Sequence, residues 1–230
     1  MHLFTDYAAH PGGPLSSRYA LDCGGHRVLG DLASHGIDLI RFLLGDIDSV
    51  VAVTDTFILV RPIVDAVSSH YAIVDPGDPS ATLGDVENED FVAAVILTRA
   101  GPTVVLESSR AAVGEQNHYG FEVHGTRGLL RWDFRRLGEL SVSSGADYQG
   151  QRTATIFNGP GDGEYEAFQP GAGVAMSFDD TKVIEAYGPL GAIAGEDVDG
   201  PTIDDAVASA RAVDAIVESV EQRSWITLAG

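Results

Sequence analysis

Hydrophobic side chains recur with helical periodicity in two stretches of the sequence. Leu29–Leu44 predicts a helix with Gly45 as its C-cap. Ile203–Gln222 carries its apolar residues in one stripe and predicts a second helix. A further helix is predicted to begin near Ser177, because Ser177 and Asp180 have the spacing of a capping box.

Between these helices, β-branched and alternating residues predict strands at short spacing. Ser49–Val60 predicts a strand that ends at Arg61-Pro62. Gly101-Pro102 and Gly125–Gly128 predict tight turns, which indicate antiparallel pairing because parallel neighbours need long crossovers. The other predicted strands are Phe91–Leu97, Thr103–Ser109, Tyr119–His124, Gly128–Asp133, Glu139–Ser143, Thr153–Phe157 and a closing strand at Trp225–Leu228.

This order of elements predicts an α+β fold with a large, predominantly antiparallel β-sheet and helices packed on one face. Prolines and glycines punctuate residues 1–28, so we expect an irregular lead-in there. The α+β core is expected over residues 29–228, within a single domain of 230 residues. With 44% hydrophobic residues, the chain can bury a core of that size.

The charge of the chain excludes two kinds of partner. It has 34 acidic and 14 basic residues, a formal net charge of −20, which repels nucleic acids and anionic membranes. No apolar run approaches the roughly 20 residues that span a bilayer. Cys23 is the single cysteine, so no intramolecular disulfide can form, and the first residues lack the features of a signal peptide. We therefore expect a cytoplasmic protein.

The segment Gly30–Asp38 carries the most specific candidate chemistry. On a helix, Asp31, His35 and Asp38 share a narrow sector of one face. Asp31, near the start of the predicted helix, is favoured as an anion by the helix dipole. A carboxylate four residues before a histidine can orient its imidazole, and such a pair suits general acid–base catalysis near neutral pH.

Two other interpretations of this segment stay open. Ser34 and Arg41 flank the sector, so the polar stripe can equally be the solvent-facing side of the helix. Alternatively, Asp31 and His35 chelate a metal ion, which needs a third ligand. The candidate third ligands are His26, His70, His118 and His124.

Several segments resemble the C-terminal domain of the glucose–fructose oxidoreductase, inositol dehydrogenase and rhizopine-catabolism (Gfo/Idh/MocA) family. GGHRVLGDLASHGIDLIRFLLGDIDSVVA, residues 24–52, resembles the opening of that domain, with its D-x-G-x-H-x-x-D helix. FEVHGTRGLLRWD, residues 121–133, is similar to the family's F-E-x-x-G-T-x-G-x-L hairpin. PTIDDAVASARAVDAIVESVEQRSWITL resembles its last helix and strand, and FTDYAAHPGGPLSSRY, residues 4–19, the lead-in of members that act on sugars.

The resemblance implies an open sheet face that mediates homodimer or tetramer contacts and a helical side that faces a dinucleotide-binding domain. By match to the D-x-x-x-H element, Asp31 and His35 would be the acid–base residues at a hydroxyl of a sugar or polyol substrate. Asp38 would support the helix. The sequence departs from the family at Ala33, where glycine is usual, and at Ser17, where related sugar enzymes carry an aromatic residue.

Two polar segments are candidates for substrate binding. Arg18 and Tyr19 can contact a sugar from the lead-in, although an arginine in a loop is also commonly just solvated. Asn117 and His118, followed by Tyr119, offer polar groups between two predicted strands. Turn chemistry explains Asn117 and His118 equally well.

The complete enzymes of the family hold NAD(P) in a separate domain, on a G-x-G-x-x-G loop between a strand and a helix. Here the nearest glycine cluster, GPGDGE at residues 159–164, has the wrong spacing and predicts a turn in a polar loop. The family's catalytic lysine belongs to an E-K-P element, whereas Lys182, the only lysine, falls in a predicted helix. We therefore expect this chain alone to bind no cofactor, with NAD(P) implied for the complete enzyme.

Three functions follow from these expectations. The first is the substrate-binding and catalytic C-terminal domain of an NAD(P)-dependent sugar or polyol oxidoreductase, inactive in hydride transfer without a separate Rossmann-domain partner. The second is a stand-alone sugar-binding or scaffold homo-oligomer derived from this family. The third is a cofactor-independent acid–base or metal enzyme that uses Asp31 and His35.

Overall fold

A computed structural model of the protein describes residues 1–64, 73–75, 77, 80–145, 147–163, 165–196, 198 and 200–228. These residues form two compact units. Unit 1 comprises residues 1–118 and 204–230, and unit 2 comprises residues 119–203.

The secondary structure follows the predicted alternation of helices and strands. In chain order, the strands are β1 (His2–Phe4), β2 (Ile47–Asp55), β3 (Val60–Pro62), β4 (Leu83–Asp85), β5 (Phe91–Thr98), β6 (Thr103–Ser109), β7 (His118–Gly125), β8 (Gly128–Asp133), β9 (Glu139–Ser144), β10 (Ala154–Phe157) and β11 (Ile226–Thr227). The α-helices are α1 (Leu21–Gly24), α2 (Ser34–Leu44), α3 (Tyr165–Phe168), α4 (Phe178–Ala194) and α5 (Ile203–Gln222).

Unit 1 is built on a sheet with the strand order β1-β6-β5-β2-β11. Its pairs are antiparallel except that β1 runs parallel to β6. One face of this sheet packs against α2 and α5, because alternate residues of the strands and one side of each helix are apolar. The buried side chains of this core include Val50, Val92, Ile96 and Leu106 from the strands and Ile37, Ile40, Ala212 and Ile216 from the helices.

In unit 2, the strands pair antiparallel in the order β10-β9-β8-β7. Aromatic rings pack near this sheet, with Trp132 against Tyr119, Phe121 and Phe134 at centroid distances of 5.8, 5.9 and 6.0 Å. Helix α4 begins where the sequence places it, since the Asp180 carboxylate accepts a hydrogen bond of 2.7 Å from the Ser177 amide.

The predicted α+β class with a predominantly antiparallel sheet is confirmed. The predicted strand from Ser49 to Val60 was wrong at its end, because β2 stops at Asp55. Beyond it, the amides of Phe57 and Ile58 donate to the Asp90 carboxylate instead of to a neighbouring strand. The lead-in is also not wholly irregular, because it contains β1.

Candidate functional site

The helix that carries Asp31 and His35 starts with a π turn. This turn covers Leu29–Ala33 and runs directly into α2. The Ser34 amide donates to the Leu29 carbonyl five residues before it, and the Ser34 hydroxyl donates to the Gly30 carbonyl at 2.8 Å. Such wide turns inside helices are frequent at functional sites.

Two side chains hold the Asp31 carboxylate. The Tyr7 hydroxyl donates to Oδ2 of Asp31 at 2.9 Å, and the Arg27 guanidinium lies 3.0 Å from Oδ1, one helical turn before it. Burial, and then the negative charge of Asp31, raise the pKa of Tyr7, so the phenol stays protonated and acts as the donor. The carboxylate is therefore fixed at both oxygens.

His35 and Asp38 differ in their surroundings. The His35 side chain is exposed, whereas Asp38 is half-buried and accepts a hydrogen bond from the Ser209 hydroxyl of α5 at 3.3 Å. Asp31 and Asp38 both contact other side chains, so the polar stripe is not simply a solvent-facing side of the helix. The contact between Asp38 and Ser209 joins α2 to α5.

A pocket of about 660 Å³ lies in unit 1. Three of the four predicted substrate-binding residues line it, namely Arg18, Tyr19 and Asn117, and so does Tyr7, the partner of Asp31. The remaining lining residues are Thr5, Asp6, His10, Gly13, Pro14, Ser16, Arg61, Ile73 and Gln116. The lining thus combines apolar surface with several polar side chains that can orient a ligand by hydrogen bonds.

Tyr19 forms part of a rigid wall of this pocket. Its ring lies between the guanidinium groups of Arg61 and Arg110, at 4.4 and 4.7 Å from the ring centroid. Arg110 is fully buried and forms an ion pair of 2.7 Å with the equally buried Asp90. Because Tyr19 is itself only 8% exposed, its ring contributes more to the shape of the wall than to hydrogen bonding.

Arg61 fixes the segment that faces it. Its guanidinium donates to the carbonyls of Ala8, His10 and Gly13, the second of them at 3.0 Å. Burial lowers the pKa of Arg61. The segment from Ala8 to Gly13 is therefore held by a single side chain from β3.

His118, the fourth predicted substrate-binding residue, has other contacts. Its ring packs edge-on against His2 with a centroid distance of 4.2 Å, and its Nδ1 lies 3.0 Å from the Glu115 carboxylate. Asn117, directly before it, has a φ of 52°, a left-handed conformation that asparagine tolerates better than most residues. Of Asn117 and His118, only Asn117 therefore lines the pocket.

The interpretation of this site as a metal centre gains no support from the described residues. Among them, no group of three or more histidine, cysteine, aspartate or glutamate side chains is arranged to hold a metal ion. Three of the candidate third ligands pair with carboxylates: His26 with Glu89, His118 with Glu115 and His124 with Glu122. His70 lies outside the described residues.

The structure describes the surroundings of the glycine cluster and of the only lysine. The glycine cluster that begins at Gly159 forms a turn in which the Gly159 amide donates to Asp162 at 2.7 Å. Strand β10 ends at Phe157, just before this turn, but it is an edge strand paired antiparallel to β9, and the helix that follows the turn, α3, has only four residues. A dinucleotide-binding loop instead lies between a strand of a parallel sheet and a full helix. Lys182 lies on α4 and forms an ion pair with Glu185 one turn later. In the part of the chain that the structure describes, no helix is both long and apolar enough to cross a membrane.

The comparison with known proteins decides the family. The sequence profile of the GFO/IDH/MocA C-terminal domain matches residues 1–131. The chain belongs to this family. The predicted family membership is therefore confirmed. The D-x-x-x-H element lies within the matched residues.

Relatives of the chain include sugar dehydrogenases. It is 33% identical over 222 residues to levoglucosan dehydrogenase of Pseudarthrobacter phenanthrenivorans, and the matched region covers 96% of this chain and 56% of that protein. A levoglucosan dehydrogenase solved with NADH and L-sorbose matches with a TM-score of 0.87 at 31% identity, over 99% of this chain and 57% of that one. A Klebsiella pneumoniae NAD binding oxidoreductase matches with a TM-score of 0.86 at 29% identity, over 100% and 58%. The chain thus spans about half the length of these relatives.

Tyr7 and Arg61 are the residues of this site that the sequence did not single out. Tyr7 lies 24 residues before Asp31, and Arg61 lies 48 to 53 residues after the carbonyls to which it donates. Arg27, by contrast, carried a local signal, because an arginine four residues before an aspartate on a helix lies beside it.

Proposed function

We propose that this chain is the substrate-binding and catalytic C-terminal domain of an NAD(P)-dependent sugar or polyol oxidoreductase. The observation that carries the proposal is the Tyr7–Asp31–Arg27 network, which joins the D-x-x-x-H helix to a pocket lined by Arg18, Tyr19 and Asn117. Relatives solved with NADH are longer than this chain, which covers 57% of their length, and this supports a dinucleotide site outside these 230 residues. In the proposal, NAD(P) is held by that unit, and this chain is inactive in hydride transfer without it.

The two predicted acid–base residues take different parts in this proposal. His35 is exposed, so its imidazole can reach a substrate hydroxyl and accept or return that hydroxyl's proton. Asp31 is fixed by Tyr7 and Arg27, and it places a negative charge one turn before His35. A positioned charge of this kind supports proton transfer at the histidine without moving during the reaction.

The proposal is tested by joining this chain to the dinucleotide-binding part of the Pseudarthrobacter levoglucosan dehydrogenase and measuring NADH formation with a panel of sugars and polyols. We expect activity on at least one sugar, reduced by about 100-fold or more in His35→Ala, as for the loss of a general base. Asp31→Asn is expected to lower the rate as well. The matched control is His124→Ala, because His124 is 69% exposed and lies on β7 of unit 2.

Two results would contradict the proposal. One is full activity in His35→Ala, which would remove the acid–base role. The other is a folded, sugar-binding fusion that binds NAD(P) but oxidises no sugar or polyol of the panel, which would favour a protein that binds sugars without acting on them.

A second candidate function, a stand-alone sugar-binding or scaffold homo-oligomer, is favoured by the sheet face of unit 1 that α2 and α5 leave uncovered. Val51, Val95 and Val105 lie in register across β2, β5 and β6. Val105 is 54% exposed, and Val53, on the same face of β2, is 62% exposed. Exposed aliphatic side chains that lie side by side on a sheet are typical of contact surfaces, and we propose a homodimer or tetramer through this face.

The oligomer is tested by sedimentation equilibrium on the 230-residue chain. Val105→Asp should shift it towards the monomer, because a buried unpaired carboxylate opposes association. Val113→Asp is the matched control, since Val113 is 84% exposed and lies outside the strands. A monomeric wild-type chain would contradict the proposed contact. A stable oligomer that binds sugars, with no activity in the fusion, would favour the second function over the first.

A further inference from the structure

Tyr7 occupies a position with two roles. It follows β1, contributes to the lining of the pocket, and donates its hydroxyl hydrogen to the Asp31 carboxylate at 2.9 Å. The other Asp31 oxygen is taken by Arg27 at 3.0 Å. A ligand in the pocket is thus separated from the Asp31 carboxylate by one phenol group.

The direction of the hydrogen bond between Tyr7 and Asp31 is fixed. An ionised carboxylate can only accept, so the single phenolic hydrogen lies between the two groups. Burial and the charge of Asp31 both favour the neutral phenol, which keeps that hydrogen in place. Because its only hydrogen is donated to Asp31, the phenolic oxygen can only accept hydrogen bonds from further partners.

We propose that Tyr7 is a specificity-determining residue, whose phenolic oxygen accepts a hydrogen bond from one hydroxyl of the sugar bound in the pocket while its own hydroxyl donates to Asp31. The inference rests on the proposed function, because it takes a sugar or polyol as the ligand. The inference identifies Tyr7 as the residue that distinguishes a hydroxyl at one position of the sugar. Tyr7 is in direct contact with the helix that carries Asp31 and His35.

This arrangement selects for sugars that carry a hydrogen-bond donor at the position facing Tyr7. A hydroxyl at the matching sugar position completes a chain of hydrogen bonds that ends on a charged acceptor, and such bonds are stronger than neutral ones. A deoxy carbon at that position leaves the phenolic oxygen without its partner. A carbonyl oxygen or a fluorine there meets the lone pairs of Tyr7 and is rejected.

The test compares the wild-type chain, Tyr7→Phe and Tyr148→Phe by isothermal titration. The ligands are levoglucosan, L-sorbose and the monodeoxy analogues of whichever sugar binds more tightly. Tyr148 is a matched control because its side chain is 80% exposed and lies in unit 2. We expect Tyr7→Phe to weaken binding of the parent sugar by about tenfold, as for one hydrogen bond in a charged chain. That loss should vanish for one monodeoxy analogue and persist for the others.

Each other result is decisive. Equal affinities of wild type and Tyr7→Phe for the parent sugar would overturn the inference and leave the proposed function standing. An equal loss for every analogue would assign Tyr7 a structural role and would also overturn it. If the wild-type chain binds none of the sugars, the inference is overturned for these ligands, and activity of the fusion on the panel decides the proposed function separately. Thermal unfolding of Tyr7→Phe shows that the variant used is folded.

Discussion

The two compact units of the chain differ in how they bury apolar side chains. Every buried apolar side chain among the described residues belongs to unit 1, where two helices cover one face of the sheet. In unit 2, aromatic rings contact one another, yet α4 leaves Val183, Leu190 and Ile193 57%, 64% and 83% exposed. Since apolar burial is the main stabilising term in folding, unit 1 has the larger stabilising core, and it is the unit that holds the candidate site.

The charged pairs of the two units differ in the same way. Asp90 and Arg110 of unit 1 are 0% and 1% exposed and bond directly. In unit 2, the pair of Arg136 and Glu139 lies at the surface, with the arginine side chain 68% exposed. Charges that are removed from water depend on each other far more than charges that stay in it.

The largest expected effect comes from breaking the buried pair. Arg110→Ala leaves the Asp90 carboxylate buried without its partner and removes one of the two guanidinium groups that hold Tyr19. We expect it to lower the free energy of unfolding by about 3–5 kcal/mol. Arg136→Ala, in the exposed pair, should cost no more than about 1 kcal/mol. Urea unfolding followed by circular dichroism measures both, and similar losses for the two would contradict the difference between the units.

A smaller effect is expected from shortening one isoleucine in each unit. Ile96 of β5 is fully buried, so Ile96→Ala should cost about 2–5 kcal/mol through the cavity it leaves. Ile156 of β10 is 51% exposed, and Ile156→Ala should cost less than about 1 kcal/mol. The same urea titrations apply. A loss at Ile156 as large as that at Ile96 would show that another surface covers this part of unit 2 in solution.

The smallest effect concerns alkaline pH. The pKa of Tyr7 is raised in the folded chain, so the stabilisation from its neutral phenol is fully present below the ordinary tyrosine pKa of about 10 and is lost as the pH rises above it. Between about pH 10 and 11, the free energy of unfolding should fall by about 1 kcal/mol more in wild type than in Tyr7→Phe. Urea unfolding at a series of pH values measures this difference, and Tyr148→Phe, in unit 2, should behave as wild type. If the free energy of unfolding depends on pH in the same way in wild type and Tyr7→Phe, Tyr7 is not held as a hydrogen-bond donor.

The sequence predicted the parts of the molecule whose signals are local. The periodicity of Ile203–Gln222 matches α5 at both ends, and the alternating residues of Thr103–Ser109 match β6. The β2 strand ended early because Asp90, distant in sequence, captures the amides that would have continued it. Tyr7 and Arg61 escaped detection for the same reason, since their contacts join residues that no pattern of period two or 3.6 connects.

The π turn at Leu29–Ala33 changes which residues of the helix point in the same direction. An α-helix advances by about 100° for each residue, and a π turn accommodates one residue more than a regular turn of the same rise. The turn therefore changes the sequence spacing at which residues before and after it share one face of the helix. Asp31 lies within the turn and accepts the hydrogen bond from Tyr7, so the direction of its carboxylate is set by this wide turn and not by the regular period of about 3.6 residues.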